Sequence, residues 1–224
     1  MPNDADLHAV VTGASSGIGR CIAQSLLDCG WQVSGLDVAQ PSIVQAGFTH
    51  VAVNLADGGS IARAAAALPP AQALVHAAGV LRVGALGQLD HAGGELMWRL
   101  HVDAATRLAD ALVPAMAARG QGRVVFIGSR VAQGMAGRGQ YAATKAALIA
   151  LARSWAAEVA GQGVTVNVVS PAATATGMLN DPARVGSAPR LPPIGRLIEP
   201  AEIAALVGFL LSPPAAAITG QDIA

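Results

Sequence analysis

Short apolar runs alternate along the chain with longer stretches whose apolar residues return every third or fourth position. The first run, His8-Ala-Val-Val-Thr12, has the brevity and β-branched content of a buried strand. Spacing then predicts a helix from about Ile18 to Cys29, ended by Gly30. The same alternation predicts strands at Gln32–Leu36, His50–Leu55, Gln72–Ala77, Gly122–Ile127 and Val164–Val169, and a last one from Ala217 to Ile223. Helices are expected at Ser60–Leu68 (ended by Pro69-Pro70), Gly94–Arg119, Gln140–Ala160 and Glu202–Leu211. Strands and helices that alternate in this way form an α/β fold, a doubly wound parallel sheet with helices on both faces. No repeat or linker interrupts residues 1–224, so a single domain is expected. The Gly/Pro/Ser-rich stretch 172–199 is long for a connection and is expected to act as a substrate loop.

Composition narrows this picture. Hydrophobic residues make up 53% of the chain, charged ones 12% and aromatics 3%, so the core must be built mainly from Ala, Val, Leu and Ile. Such a core suits parallel strands buried on both faces. The 14 basic and 14 acidic residues cancel without a Lys/Arg run, which gives no reason to expect a nucleic-acid partner. The N-terminus lacks a basic segment leading into an apolar block, and no apolar run is long enough to span a bilayer. A cytoplasmic protein without membrane partners is expected. Cys21 and Cys29 fall in one expected helix, about 12 Å apart, too far for a disulfide. No metal-ligand spacing appears. Helix 140–160 is apolar on more than one face, and its outer face, with that of helix 94–119, is expected to bind other subunits.

The candidate chemistry gathers where ligands sit in such folds, at the carboxyl ends of the strands. Gly13, Asp37, Gly79, Ser129 and Pro171 all fall at such ends. Gly13-Ala-Ser-Ser-Gly17-Ile-Gly19 joins a strand to a helix, the arrangement in which backbone amides and a helix N-terminus cradle a pyrophosphate. Asp37 lies where a carboxylate would accept from ribose hydroxyls and repel a 2′-phosphate, which favours NAD over NADP. Arg20 is the one cation near that position and reads as a solvated helix side chain. Ala78-Gly79 would let the backbone pass close to a cofactor. Tyr141, the only tyrosine, and Lys145 lie one helical turn apart. An ammonium beside the phenol favours the phenolate and makes a general base of it. Ser129 ends a strand and could donate to a substrate oxygen.

These residues resemble the short-chain dehydrogenase/reductase family over essentially the whole chain. The resemblance rests on Thr12-Gly13-Ala-Ser-Ser-Gly17-Ile-Gly19, on Ser129 with Tyr141-Ala-Ala-Thr-Lys145, on Asn167-Val-Val-Ser-Pro171 and on Ile218-Thr-Gly-Gln221. It implies hydride transfer between a nicotinamide cofactor and a secondary alcohol or ketone. Ser129, Tyr141 and Lys145 would be the catalytic set, and His101 stands where the family's fourth catalytic residue, an Asn, is usual. The implied cofactor contacts are Gly13, Ser15, Ser16, Gly17, Ile18 and Gly19 in the turn, then Asp37, Asn54 and Leu55. Ala77, Ala78, Gly79, Tyr141, Lys145, Pro171, Thr174 and Thr176 complete them. A homotetramer or homodimer is also implied.

Several residues depart from the family pattern. His76-Ala77-Ala78-Gly79 replaces Asn-Asn-Ala-Gly. His101 could serve through its main-chain carbonyl if the helix kinks there, pass protons through its ring, or simply pack. Ala172 follows Pro171 where Gly is usual. The sequence stops at Ala224 ahead of a Val-Asp-Gly-Gly tail, read as a truncated or unseen end. The stretch from His76 to Leu89, with Ile218 to Ile223, is similar to 2,3-dihydro-2,3-dihydroxybenzoate dehydrogenases, in which case Arg82 and Arg138 could pair a substrate carboxylate. The alternatives are a 3-oxoacyl-carrier-protein reductase, whose usual NADP Asp37 argues against, and a silent nucleotide-binding scaffold.

Overall fold

The segment His8–Thr12 (β1) is wholly buried and lies in the interior of the sheet. On one side it pairs in parallel with β2 (Gln32–Asp37), on the other with β4 (Ala73–His76). Beyond β2 lies β3 (Phe48–Ala52), and beyond β4 lie β5 (Gly122–Ile127), β6 (Val164–Val169) and β7 (Asp222–Ile223). The parallel order is β3-β2-β1-β4-β5-β6-β7. The structure, a computed structural model, describes residues 7–181 and 191–224. Register sets Thr12 beside both Leu36 and His76, and His76 beside Phe126, so these strands end level. Strand order reverses between β1 and β4, and a crevice opens at their carboxyl ends.

Side chains of β1 alternate between two cores, as the pleat requires. Ala9 and Val11 face α1 (Gly17–Asp28) and α6 (Pro200–Leu211), packing with Ile22, Leu26, Val207 and Leu210. Val10 faces α2 (Gly58–Ala67), α4 (Ala104–Ala118) and α5 (Gly139–Val159), packing with Leu108, Met116 and Leu148. Phe126 is the large aromatic of this second core, and Trp155 stands edge-on to it. The α/β architecture is the one that the alternating pattern predicts.

Several boundaries differ from expectation, and the following have a local reason. The expected helix 94–119 begins earlier, as α3 (His91–Trp98), because Asp90 caps it by accepting from the Gly93 amide at 2.8 Å. It is then interrupted by a π-helical turn, Arg99–Asp103, before α4. The third strand is shifted to Phe48–Ala52 because its partner β2 ends at Asp37, opposite Ala52. Residues 53–55 leave the ladder and turn towards the crevice. The helix expected at Glu202 starts at Pro200, with the Glu202 carboxylate accepting from the Glu199 amide at 2.8 Å. The last strand is only two residues long, because side chains take over the ladder before it. Thr219 accepts from the Val166 amide at 3.0 Å, and Asn167 bonds both Ile218 and Gln221.

The stretch 172–199 is structured at both ends. Thr174 bridges Ile198, and a 3₁₀ turn spans Gly177–Asn180. Residues 182–190 of that expected loop lie outside the described residues. Cys21 and Cys29 are both free thiols. Helix α5 buries one face only, with Leu148, Ala152 and Ala156 against the sheet and Ala143, Ala146 and Ala150 exposed. No helix of the described residues is long and apolar enough to cross a membrane.

Candidate active site

A cavity of about 840 Å³ runs along the carboxyl edge of the sheet. The turn after β1 forms one end. Gly13 has φ +69°, and a Cβ there would stand 2.9 Å from the Ala78 backbone, so the glycine lets the turn pack onto the end of β4. Gly17 has φ +53° and opens α1. A Cβ on Gly19 would strike the Gly13 carbonyl. Ser16 occupies the N-cap of α1 but gives the helix no side-chain bond. The first-turn amides are thus left for another acceptor, and Ser16, Gly17, Ile18 and Gly19 all line the cavity. A cradle that a Cβ would fill, above an uncapped helix N-terminus, fits a dinucleotide pyrophosphate.

Asp37 stands at the same end of the cavity. Its carboxylate accepts from the Ser15 amide and from the Ala39 amide, each at 2.9 Å. Ser15 itself is not among the residues that line the cavity. Its hydroxyl donates to the Ala39 carbonyl, so it braces Asp37 from behind. Asn54 and Leu55 do line the cavity, because β3 ends before them, and Asn54 accepts from the Ala56 amide in its own turn. Ala77, Ala78 and Gly79 form the wall from β4, and Pro171, Thr174 and Thr176 the wall after β6.

The other end holds the expected reactive groups. Ser129 follows β5, and its Oγ accepts from the Val131 amide at 3.2 Å, which leaves its proton to donate. The Arg130 amide donates to the Pro171 carbonyl, joining the ends of β5 and β6. Tyr141 and Lys145 lie in the first two turns of α5, both buried, and both face the cavity. Lys145 Nζ donates to the Ile127 carbonyl at 2.8 Å and lies 5.7 Å from the Tyr141 ring centre. Burial pulls the Lys145 ammonium down to about 7. His101 sits in the π-helical turn, fully enclosed, with its ring edge-on to Tyr141 at 5.6 Å. The helix is thus interrupted by the π-helical turn at His101, the place where sequence reasoning asked for a kink.

The two arginines named for a substrate carboxylate part company. Arg138 lines the cavity. Arg82 does not; it pairs with Asp181 at 3.1 Å and donates to the Leu81 carbonyl. Arg20 is exposed. Sequence reasoning missed the apolar wall beyond Tyr141, formed by Leu81, Val131, Met135, Leu179, Leu191 and Pro192. These residues come from three loops with no periodicity to announce them. It also missed Thr12 and Thr144, whose hydroxyls bond the two buried histidines.

Comparison with known proteins agrees with this geometry. A family model described as enoyl-(acyl carrier protein) reductase matches residues 13–224. The 3-oxoacyl-(acyl-carrier-protein) reductase FabG of Vibrio cholerae is 36% identical, over 96% of this chain and 93% of its own. The 2,3-dihydro-2,3-dihydroxybenzoate dehydrogenase of Escherichia coli is 35% identical, over 95% of this chain and 92% of its own, so that subgroup stands level with the reductases. A solved structure of a short chain dehydrogenase/reductase family protein superposes with a TM-score of 0.89 at 35% identity, covering 99% of this chain and 96% of that one. The chain belongs to the short-chain dehydrogenase/reductase family, an oxidoreductase that moves hydride between a nicotinamide cofactor and a secondary alcohol or ketone.

Proposed function

We propose that this enzyme prefers NAD(H) and acts on a secondary alcohol or ketone carried on a largely apolar body, with Tyr141 as the acid/base. One observation carries the reading: a single cavity is continuous from the Asp37 carboxylate to the buried Tyr141/Lys145 pair. Gly13, Gly17, Gly19 and the first-turn amides of α1 would hold the pyrophosphate, and Asp37 the adenosine ribose. Asn54 and Leu55 would flank the adenine, with Ala77 to Gly79, Pro171, Thr174 and Thr176 towards the nicotinamide. A bound nicotinamide supplies or accepts the hydride.

In reduction Tyr141 Oη gives its proton to the carbonyl oxygen, and in oxidation it takes the alcohol proton. Ser129 Oγ donates to that same oxygen and orients it. The Lys145 ammonium steadies the phenolate, all the more in a site shut off from water. Leu81, Val131, Met135, Leu179, Leu191 and Pro192 favour an apolar substrate body, and the segments 171–181 and 191–199 act as its cover. The exposed alanines of α5 support association with further copies through α4 and α5, as a homodimer or homotetramer; a monomer by light scattering at micromolar concentration contradicts this. The free cysteines are compatible with a cytoplasmic setting.

A second reading, reduction of a 3-oxoacyl group on a carrier protein, is favoured by the similarity to FabG. Titrating the protein with NADH and NADPH separates the two: tighter NADPH binding overturns the argument from Asp37. A panel of apolar secondary alcohols and ketones, followed by nicotinamide absorbance, tests the substrate class. Turnover confined to charged polyols would contradict it.

A further inference from the structure

Two buried imidazoles take no part in the chemistry described so far, and their hydrogen bonds can be followed proton by proton. His76 ends β4 and His101 lies in the π-helical turn; both are almost completely shielded from solvent. Thr12 Oγ1 accepts from the amides of Ala77 and Ala78, each at 3.0 Å. Its own proton therefore goes to His76 Nδ1, 3.0 Å away. The ring proton of His76 must then sit on Nε2, which donates to the Leu100 carbonyl at 3.0 Å.

At His101 the polarity is reversed. The Val80 amide donates to Nε2 at 3.1 Å, so that nitrogen carries no proton. Nδ1 carries it instead and donates to Thr144 Oγ1 at 2.8 Å, while Thr144 donates to the Tyr141 carbonyl at 2.8 Å. Every donor in both chains meets an acceptor, with none left over.

We infer that His76 and His101 are neutral imidazoles locked in opposite tautomers, which position the reactive turn of α5 and carry no proton. His101 ties the Val80 loop to Thr144 and so to the backbone of Tyr141, across 43 residues of sequence in its bond to Thr144. His76 ties the end of β4 to the π-helical turn that holds His101. Gly79 is part of the device, since a Cβ there would stand 2.6 Å from His101 Nε2. An imidazolium at His101 would aim a proton at the Val80 amide proton.

The ionisable groups that face these rings are the Lys145 ammonium and the Tyr141 phenol, both from α5. Burial, then Lys145, hold His76 at about 3 and His101 well below the usual histidine range. Of the three roles open to His101 from the sequence, passing protons through its ring gives way to positioning. The inference rests on Tyr141 as the acid/base only for what is positioned; the tautomers stand without it.

The test is two-bond ¹⁵N–¹H correlation spectroscopy on the full chain labelled at histidine, between about pH 5 and 9. His101→Asn and His76→Asn variants serve to assign the signals. The expected result is a proton on Nδ1 of His101 and on Nε2 of His76, with neither ring titrating. A proton on Nε2 of His101, or a titration midpoint for either ring inside that range, overturns the inference. No substrate is needed, so failure here is distinct from failure of the Tyr141 reading. On a substrate once found, His101→Asn keeps a donor towards Thr144 and His101→Gln an acceptor towards Val80. Each should lower kcat roughly ten- to hundredfold with the pH inflections unmoved. Loss of one limb of the pH profile would make His101 a proton carrier after all.

Discussion

The two halves of the carboxyl edge are built from different materials. On the β1–β2 side the site is backbone: a turn of glycines, the free amides of α1, and one carboxylate braced by two amides. On the β4–β5 side it is side chain: Ser129, Tyr141 and Lys145, supported by His76, His101 and Thr12 from other elements and by Thr144 of α5 itself. The backbone half tolerates little change at the glycines because shape is its function. The side-chain half depends on closed hydrogen bonds, as at His76 and His101, whose four ring nitrogens all have partners. Positioning rests on hydrogen bonding there, and on steric room on the other side.

The sharpest way to break this comparison is Tyr141→Phe, which removes one hydroxyl from the side-chain half. Turnover should fall by roughly 10³ while NADH affinity stays within about twofold. Retained turnover on a confirmed substrate would remove Tyr141 from the mechanism.

Next in size is Lys145→Met. The folded-state value of Lys145, about 7, lies below its unfolded value of 10.5, so between those limits the unfolded chain binds the extra proton. Stability therefore rises with pH across that window, and the cost of a buried ammonium is full at and below pH 7. The methionine variant should gain on the parent by a few kcal/mol near pH 6, a gain that shrinks towards pH 10. Urea unfolding at several pH values reads this, and a gap independent of pH would contradict it.

In the backbone half, Gly13→Val sets a β-branched residue at φ +69° against the Ala78 backbone. A loss of about 2–3 kcal/mol in stability is expected, with much weaker NADH binding by fluorescence titration. An unchanged melting temperature would mean that the turn yields more easily than its packing suggests. Asp37→Ala should move the NADH/NADPH affinity ratio towards NADPH by about tenfold or more, with some loss for NADH because two amides lose their acceptor. No movement of the ratio would place cofactor choice elsewhere. The smallest effect belongs to Arg82→Ala, outside both halves. Its partly exposed pair with Asp181 should be worth about 0.2–1 kcal/mol, read as a shift of melting temperature.

The backbone half was largely legible in the sequence. A strand, three glycines and a helix are contiguous, so local spacing locates the cradle, and Asp37 follows one element later. Tyr141 and Lys145 were legible for the same reason, being one helical turn apart. Ser15 stands behind Asp37 rather than along the cavity, because sequence order cannot tell a residue on the inner side of a tight turn from one facing outwards. The third strand was misplaced because an edge strand ends where its partner ends, and only pairing reveals that.

The amino-acid sequence by itself determined the α/β architecture and put the candidate reactive groups at the strand ends. These rest on periodicity, glycine freedom and helical spacing, all short-range properties of the chain. The tertiary structure decided the rest: the π-helical turn that seats His101, the tautomers of two histidines, the place of Arg138 rather than Arg82 beside the cavity, and the apolar wall beyond Tyr141. Each of these depends on atoms many residues apart arriving within about 3–4 Å of one another, and no local pattern encodes such distances.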